Sequence, residues 1–199
     1  MYELSPIERI HSYIESSVDR DEVVMSTSRT DDKGGYTAAE EYSATQDALA
    51  RCRHYRKHNG LYGVVDSTLG RIMLEIGAVG AVVMPSTLGE RVRGLLIGRG
   101  LRCGPIIAHP RSGRWTFLTG PTDNSYLDTV LFAELFRVCA SVALPGSEIV
   151  LPSPADERSG YRTWMQPPDG DHRPDFAQII AATRTNARTA DLIHQPGSA

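Results

Sequence analysis

Residues 61–85, LYGVVDSTLGRIMLEIGAVGAVVMP, decide the fold, because here the spacing of apolar residues changes from helical to alternating. Leu61 to Val65 and Arg71 to Ile76 are short strand-like runs joined by Asp66-Ser67-Thr68-Leu69-Gly70, which predicts a hairpin. Val79 to Met84 is a continuous apolar run closed by Pro85, the pattern of a strand buried on both faces.

Downstream, Thr87-Leu88-Gly89-Glu90 has the form of a helix cap, Leu88, Val92, Leu95 and Leu96 share one face, and Gly98 and Gly100 mark the end. Pro105 to Ala108 and Arg114 to Leu118 read as strands around the turn His109-Pro110-Arg111-Ser112-Gly113, with Trp115 and Phe117 on one sheet face. Thr129 to Cys139 reads as an apolar helix with Cys139 in the core. Glu148 to Leu151 and Tyr161 to Gln166 read as strands bracketing a Pro/Ser/Asp loop, and Pro174 to Arg188 as a closing helix.

Upstream, Thr37-Ala38-Ala39-Glu40 opens a helix that Asn59-Gly60 should stop. Ser5-Pro6-Ile7-Glu8 repeats that start signal, and Ile7, Ile10, Ile14 and Val18 then form a narrow apolar stripe. Residues 19–36 turn polar and read as a linker. The expected architecture is α+β: a mainly antiparallel mixed sheet with flanking helices, preceded by two N-terminal helices. The expected parts are an N-terminal helix and linker over 1–36, a domain over 37–190 and a tail over 191–199.

The chain has 199 residues, 41% of them apolar, which is enough to close one core without disulfides or metal. Its three cysteines, Cys52, Cys103 and Cys139, form no C-x-x-C pair and read as reduced thiols. No run is long enough for a membrane span, and the order basic-then-apolar of a secretion signal is missing, so a cytoplasmic protein is expected. The net charge of −3 conceals an uneven distribution. Residues 1–50 carry 4 basic and 11 acidic groups, residues 51–118 carry 11 and 3, and residues 119–199 carry 6 and 10. The basic middle is either a surface for phosphates or acidic partners, or a surface that the acidic flanks neutralise.

Two clusters make up most of that middle. Arg51, Arg53, Arg56 and Lys57 lie with His54, Tyr55 and His58 at a helix C-terminus, where the helix dipole alone favours cations. Read as a ligand site, the four cations contact phosphates and Tyr55 stacks on a base. His109, Arg111 and Arg114 form a second candidate contact loop, since guanidinium forks and turn amides suit phosphate oxygens. Its alternative is an ordinary exposed hairpin tip. No nucleophile elbow, phosphate loop or H-E-x-x-H helix is present, and neither Asp19-Arg20-Asp21 nor Asp169-Gly170-Asp171 lies on a strand that would make it a metal platform. No catalytic residue, metal ligand or cofactor is assigned.

From about Gly60 to Pro168 the chain resembles the primase-polymerase domain of actinobacterial bifunctional primase/polymerases, within the archaeo-eukaryotic primase superfamily. The resemblance rests on Gly80-Ala81-Val82-Val83-Met84-Pro85, on Gly104 to Pro110 with Ser112 to Leu118, and on Glu148 to Pro154 with Tyr161-Arg162-Thr163-Trp164. The same stretch is similar to short actinobacterial proteins labelled RNA polymerase beta subunit. The resemblance implies a nucleotide-handling scaffold with acidic metal ligands after the strand Ala81 to Met84, where this chain has Pro85-Ser86-Thr87. It further implies a histidine that falls on Trp115 and an aspartate that falls near Ser141. The expectation is a non-catalytic relative that binds nucleic acid, nucleotide or another phosphate ligand. Two further readings stay open. One is an interaction or assembly module docking through Ile7, Ile10, Ile14 and Val18, to a protein partner or a second copy. The other is a residual enzyme that uses Asp66, Glu75 or Glu148.

Overall fold

A computed structural model describes residues 38–66, 68–122 and 127–193. The expected N-terminal helix with Ile7, Ile10, Ile14 and Val18, and the linker after it, lie outside the described residues. The first described element is α1, Ala38–Asn59, built from Ala, Glu, Gln, Leu and Arg. It stops at Gly60, whose φ of 59° is the left-handed turn that glycine accepts without cost, and the Leu61 amide returns to the Tyr55 carbonyl.

The expected hairpin follows as β1, Val64–Asp66, and β2, Arg71–Glu75, in register Val65 to Ile72. In the turn, the Asp66 carboxylate accepts from the Thr68 amide at 2.8 Å. Then come β3 (Gly80–Pro85), α2 (Ser86–Gly98), β4 (Ile106–His109), β5 (Arg114–Thr119) and α3 (Thr129–Arg137). The chain ends with β6 (Ser141–Ala143), β7 (Glu148–Leu151), α4 (Pro154–Ser159), β8 (Thr163–Gln166) and α5 (Phe176–Ile193).

All pairings are antiparallel and make two sheets, ordered β1-β2-β7 and β6-β3-β5-β4-β8. The expected α+β class is therefore what the chain adopts. The central strands β3 and β5 face a core on each side. Val82, Met84, Trp115 and Phe117 turn towards α2, α3 and α5, where they meet Leu88, Val92, Leu131, Leu135 and Ile179. Ala81, Ile107 and Leu118 turn the other way, onto Ile72, Leu74 and Leu151 of the small sheet and Ala48 and Cys52 of α1. Burial on both faces explains why Val79 to Met84 reads as an unbroken apolar run.

Four local expectations differ from the structure. Helix α2 starts at Ser86 rather than behind a Thr87 cap, because the Ser86 amide is already satisfied by the Gly113 carbonyl at 2.8 Å. Helix α3 stops at Arg137, and Cys139 is exposed rather than in the core. It occupies the left-handed position after the helix at φ 54°, where the Cys139 and Ala140 amides close onto the Phe136 and Leu135 carbonyls. Strands β7 and β8 belong to different sheets, with the capped helix α4 between them. The closing helix α5 starts later than expected, at Phe176, and runs to Ile193. No helix among the described residues is long and apolar enough to cross a membrane.

Helix α2 lies on β5 at a distance only glycine permits: a Cβ on Gly89 would come within 2.7 Å of the Trp115 ring. Gly89→Ala is expected to destabilise the fold by ~1–3 kcal/mol through overpacking, more than the ~1 kcal/mol gained in helix propensity. Gly94, with nothing within 4 Å of its added Cβ, serves as the control: Gly94→Ala should raise the urea midpoint while Gly89→Ala lowers it.

Candidate functional site

The two basic clusters have different fates. In α1, Arg51 makes a forked ion pair with Glu157 of α4 at 3.0 and 3.2 Å and also donates to the Tyr55 hydroxyl. Glu157 thereby holds the Arg51 guanidinium still more firmly in its charged form. Tyr55 is buried, donates to the Pro152 carbonyl at 2.8 Å and accepts the Trp164 indole N–H at 2.7 Å. The two rings meet edge to face at 5.8 Å, and burial pushes the phenol pKa up. Arg56 donates to the Gly63 carbonyl at 3.0 Å. Arg51, Tyr55 and Arg56 are thus joints between α1, α4, β8 and the start of the hairpin. The ring expected to stack on a base is inside the protein instead. Arg53, Lys57, His54 and His58 are exposed, the two histidine rings 4.7 Å apart. Among the described residues no group of three or more His, Cys, Asp or Glu side chains is placed to hold a metal ion.

The turn between β4 and β5 gathers cations from other parts of the chain. His109 shares a 2.8 Å hydrogen bond with the Thr116 hydroxyl. Burial first, then the Arg162 and Arg114 guanidiniums, push its pKa down to about 4, so the ring is neutral at pH 7. Arg114 donates to the Cys139 carbonyl at 2.8 Å. The Arg111 guanidinium lies 4.5 Å from the centre of the Tyr161 ring, and that of Arg162 lies 4.9 Å from it. Arg162 is in turn held by Asp156 at 3.5 Å, the two side chains only 15% and 11% exposed. Asp156 also closes the capping box of α4, accepting from the Ser153 amide at 3.3 Å and from the Ser153 hydroxyl at 2.9 Å.

Of the residues that sequence singled out, the structure therefore brings together His109, Arg111 and Arg114 and adds Tyr161, Arg162 and Asp156. The signal for Asp156 was present, since Ser153-Pro154-Ala155-Asp156 has the form of a capped helix start. Tyr161 and Arg162 carried no signal of their own, because the pairing of Ala108 with Thr163 joins segments 55 residues apart.

At the end of α1 the Asn59 side-chain amide donates to the Gly170 carbonyl, beyond β8, whereas Arg51, at the start of the basic run, reaches Glu157, the neighbour of the Asp156 that holds Arg162. The positions marked by the primase-polymerase resemblance do meet. Met84 pairs with Trp115, Pro85 with Arg114 and Val83 with Ser141, at the same sheet end as the arginine turn. Trp115 is buried against the helix side of the sheet. The carboxylates of the residual-enzyme reading lie on the small sheet and do not converge. Asp66 pairs with Arg71 at one end of β2, and Glu75 faces Glu148 at the other. Comparisons with family models, curated proteins and solved structures gave no match to this chain.

His109 makes stability depend on pH. With its folded pKa near 4 and an unfolded value of about 6.5, the unfolded chain gains a proton that the native state refuses as the pH falls through that interval. Stability is expected to drop by up to ~3 kcal/mol between pH 6.5 and 4 from this group. Urea midpoints at pH 7, 5.5 and 4.5 should fall less steeply for His109→Gln than for the parent chain.

Proposed function

We propose that the protein binds phosphate-bearing ligands, nucleic acid or nucleotide, on the surface formed by Arg111, Arg114, Tyr161 and Arg162 around His109, and that it does so without catalysing a reaction on them. The observation that carries this reading is the gathering of arginines from two distant segments: Arg114 and Arg162 act on the partly buried His109 ring, and Arg111 and Arg162 both lie over Tyr161. Like charges repel, so their gathering costs free energy that an anion would recover. Asp156 pairs with Arg162. Guanidinium groups offer planar, paired donors that match phosphate oxygens, and Arg162 is oriented in advance by Asp156 and the Tyr161 ring. The sequence resemblance to primase-polymerase domains supports a phosphate-handling role, and the positions where it implies metal ligands hold Pro85, Trp115 and Ser141. Arg53 and Lys57 are exposed on α1 and carry no part of this reading.

Fluorescence anisotropy with a labelled single-stranded oligonucleotide at low salt tests the proposal. Arg111→Ala should weaken binding by ~10-fold or more, the loss of one charge-assisted contact of ~1.5–3 kcal/mol, while Arg53→Ala stays within about twofold. Equal losses at both positions, or no binding by the parent chain to any oligonucleotide or nucleotide, would refute it.

A further inference from the structure

We infer that His54 and His58 form a chelating site for a divalent transition-metal ion of the imidazole-binding class, nickel, copper or zinc, on the exposed side of α1 near its C-terminus. Spacing alone assigns neither histidine a part, and the structure supplies the geometry. Four residues apart, the two stand about one helical turn from each other on the same face. Their ring centroids are 4.7 Å apart and the planes are tilted by 33°. Such an ion bonds imidazole nitrogen at about 2.0–2.1 Å, so two rings chelate it when their nitrogens come within about 3 Å of each other. Rings this close need only side-chain rotation to meet that condition, and both side chains are exposed.

The backbone beneath the rings is fixed. Cys52, Tyr55 and Asn59 bury the other side of the same turns, and Tyr55 is tied to Pro152 and Trp164. The helix end is held by the Asn59 side-chain amide on the Gly170 carbonyl and by Arg173 on the Asn59 carbonyl. The pair is therefore presented at a set separation before an ion arrives, which lowers the ordering cost of binding. Charge acts in both directions here. Arg53 and Lys57 are exposed on the same helix and repel a cation, but salt screens exposed charges beyond about 10 Å. The helix C-terminus is the negative end of the dipole and favours a cation. Asp171 adds to this, its Cβ 3.6 Å from where a Cβ on Gly60 would stand. Two ligands are fewer than the four of a closed structural site, and the inference requires no third.

Calorimetric titration of the full chain with nickel chloride tests the site, nickel being chosen because it suits imidazole whereas thiolates such as that of the exposed Cys139 select softer ions. His54→Gln and His58→Gln should each weaken binding by ~10-fold or more, because either one removes the chelate. The double variant should lose no more than about threefold beyond either single one, since two ligands of one ion act as a unit. Cys139→Ser should stay within about twofold of the parent. Both histidines are exposed, so the variants keep the fold, and nickel should raise the urea midpoint of the parent chain more than that of either variant. Loss at one histidine alone, loss with Cys139→Ser, or parent binding no tighter than that of the variants would overturn the chelate. The site does not depend on the arginine surface, so its failure would leave the phosphate-binding reading untouched.

Discussion

The fold depends on one constraint, the need to cover both faces of the β3–β5 pair. Because Val82 and Phe117 share one face and Ala81 and Leu118 the other, no single layer can satisfy these strands. Three helices close one side, and the small sheet with α1 closes the other. Each residue facing a core removes apolar surface from water at ~25 cal/mol per Å². The two-sided arrangement doubles the number of positions along a six-residue strand that contribute. Gly89 is the accommodation this requires, since the helix that covers Trp115 must lie almost on its ring.

That constraint also places the candidate site. Covering the second face brings α1 against the small sheet and α4, and the contact is fastened by groups that look like a ligand-binding run in the sequence. Arg51 to Glu157, Tyr55 to Trp164 and Pro152, and Arg56 to Gly63 each join α1 to a different segment. A partly buried forked pair and a fully engaged phenol lose much if one partner is removed, because the remaining group is left buried and unpaired. At the His109 turn Arg162 is held by Asp156 and Arg114 by the Cys139 carbonyl, while Arg111 at the tip is exposed.

The sequence was legible where the chain obeys a period or a stop signal. The change of spacing at Gly60, the hairpin around Gly70 and the unbroken run from Val79 to Met84 all correspond to observed elements. Elements set by tertiary context were not legible. Strand β6 has three residues, too few to show alternation, and α4 has six. The end of α3 was misread because its left-handed position holds Cys139 where glycine is the usual marker. At the site, the turn residues His109, Arg111 and Arg114 could be read from composition. Their partners Tyr161 and Arg162 could not, because only the β4–β8 pairing makes them neighbours. The error at α1 has a similar origin: residues 51 and 55 lie on one helical face, and a charge count cannot tell that this face points inward.

Asp156 caps a helix with one oxygen and steadies Arg162 with the other. A backbone feature and a surface charge therefore share a single carboxylate. Any change at Ser153 that loosens the helix start would rotate that carboxylate and carry the guanidinium with it, although every basic residue remained in place. The proposed binding face would then have a hinge point in a residue outside it, and sequence drift at the cap would be felt as a shift in the set of the arginines.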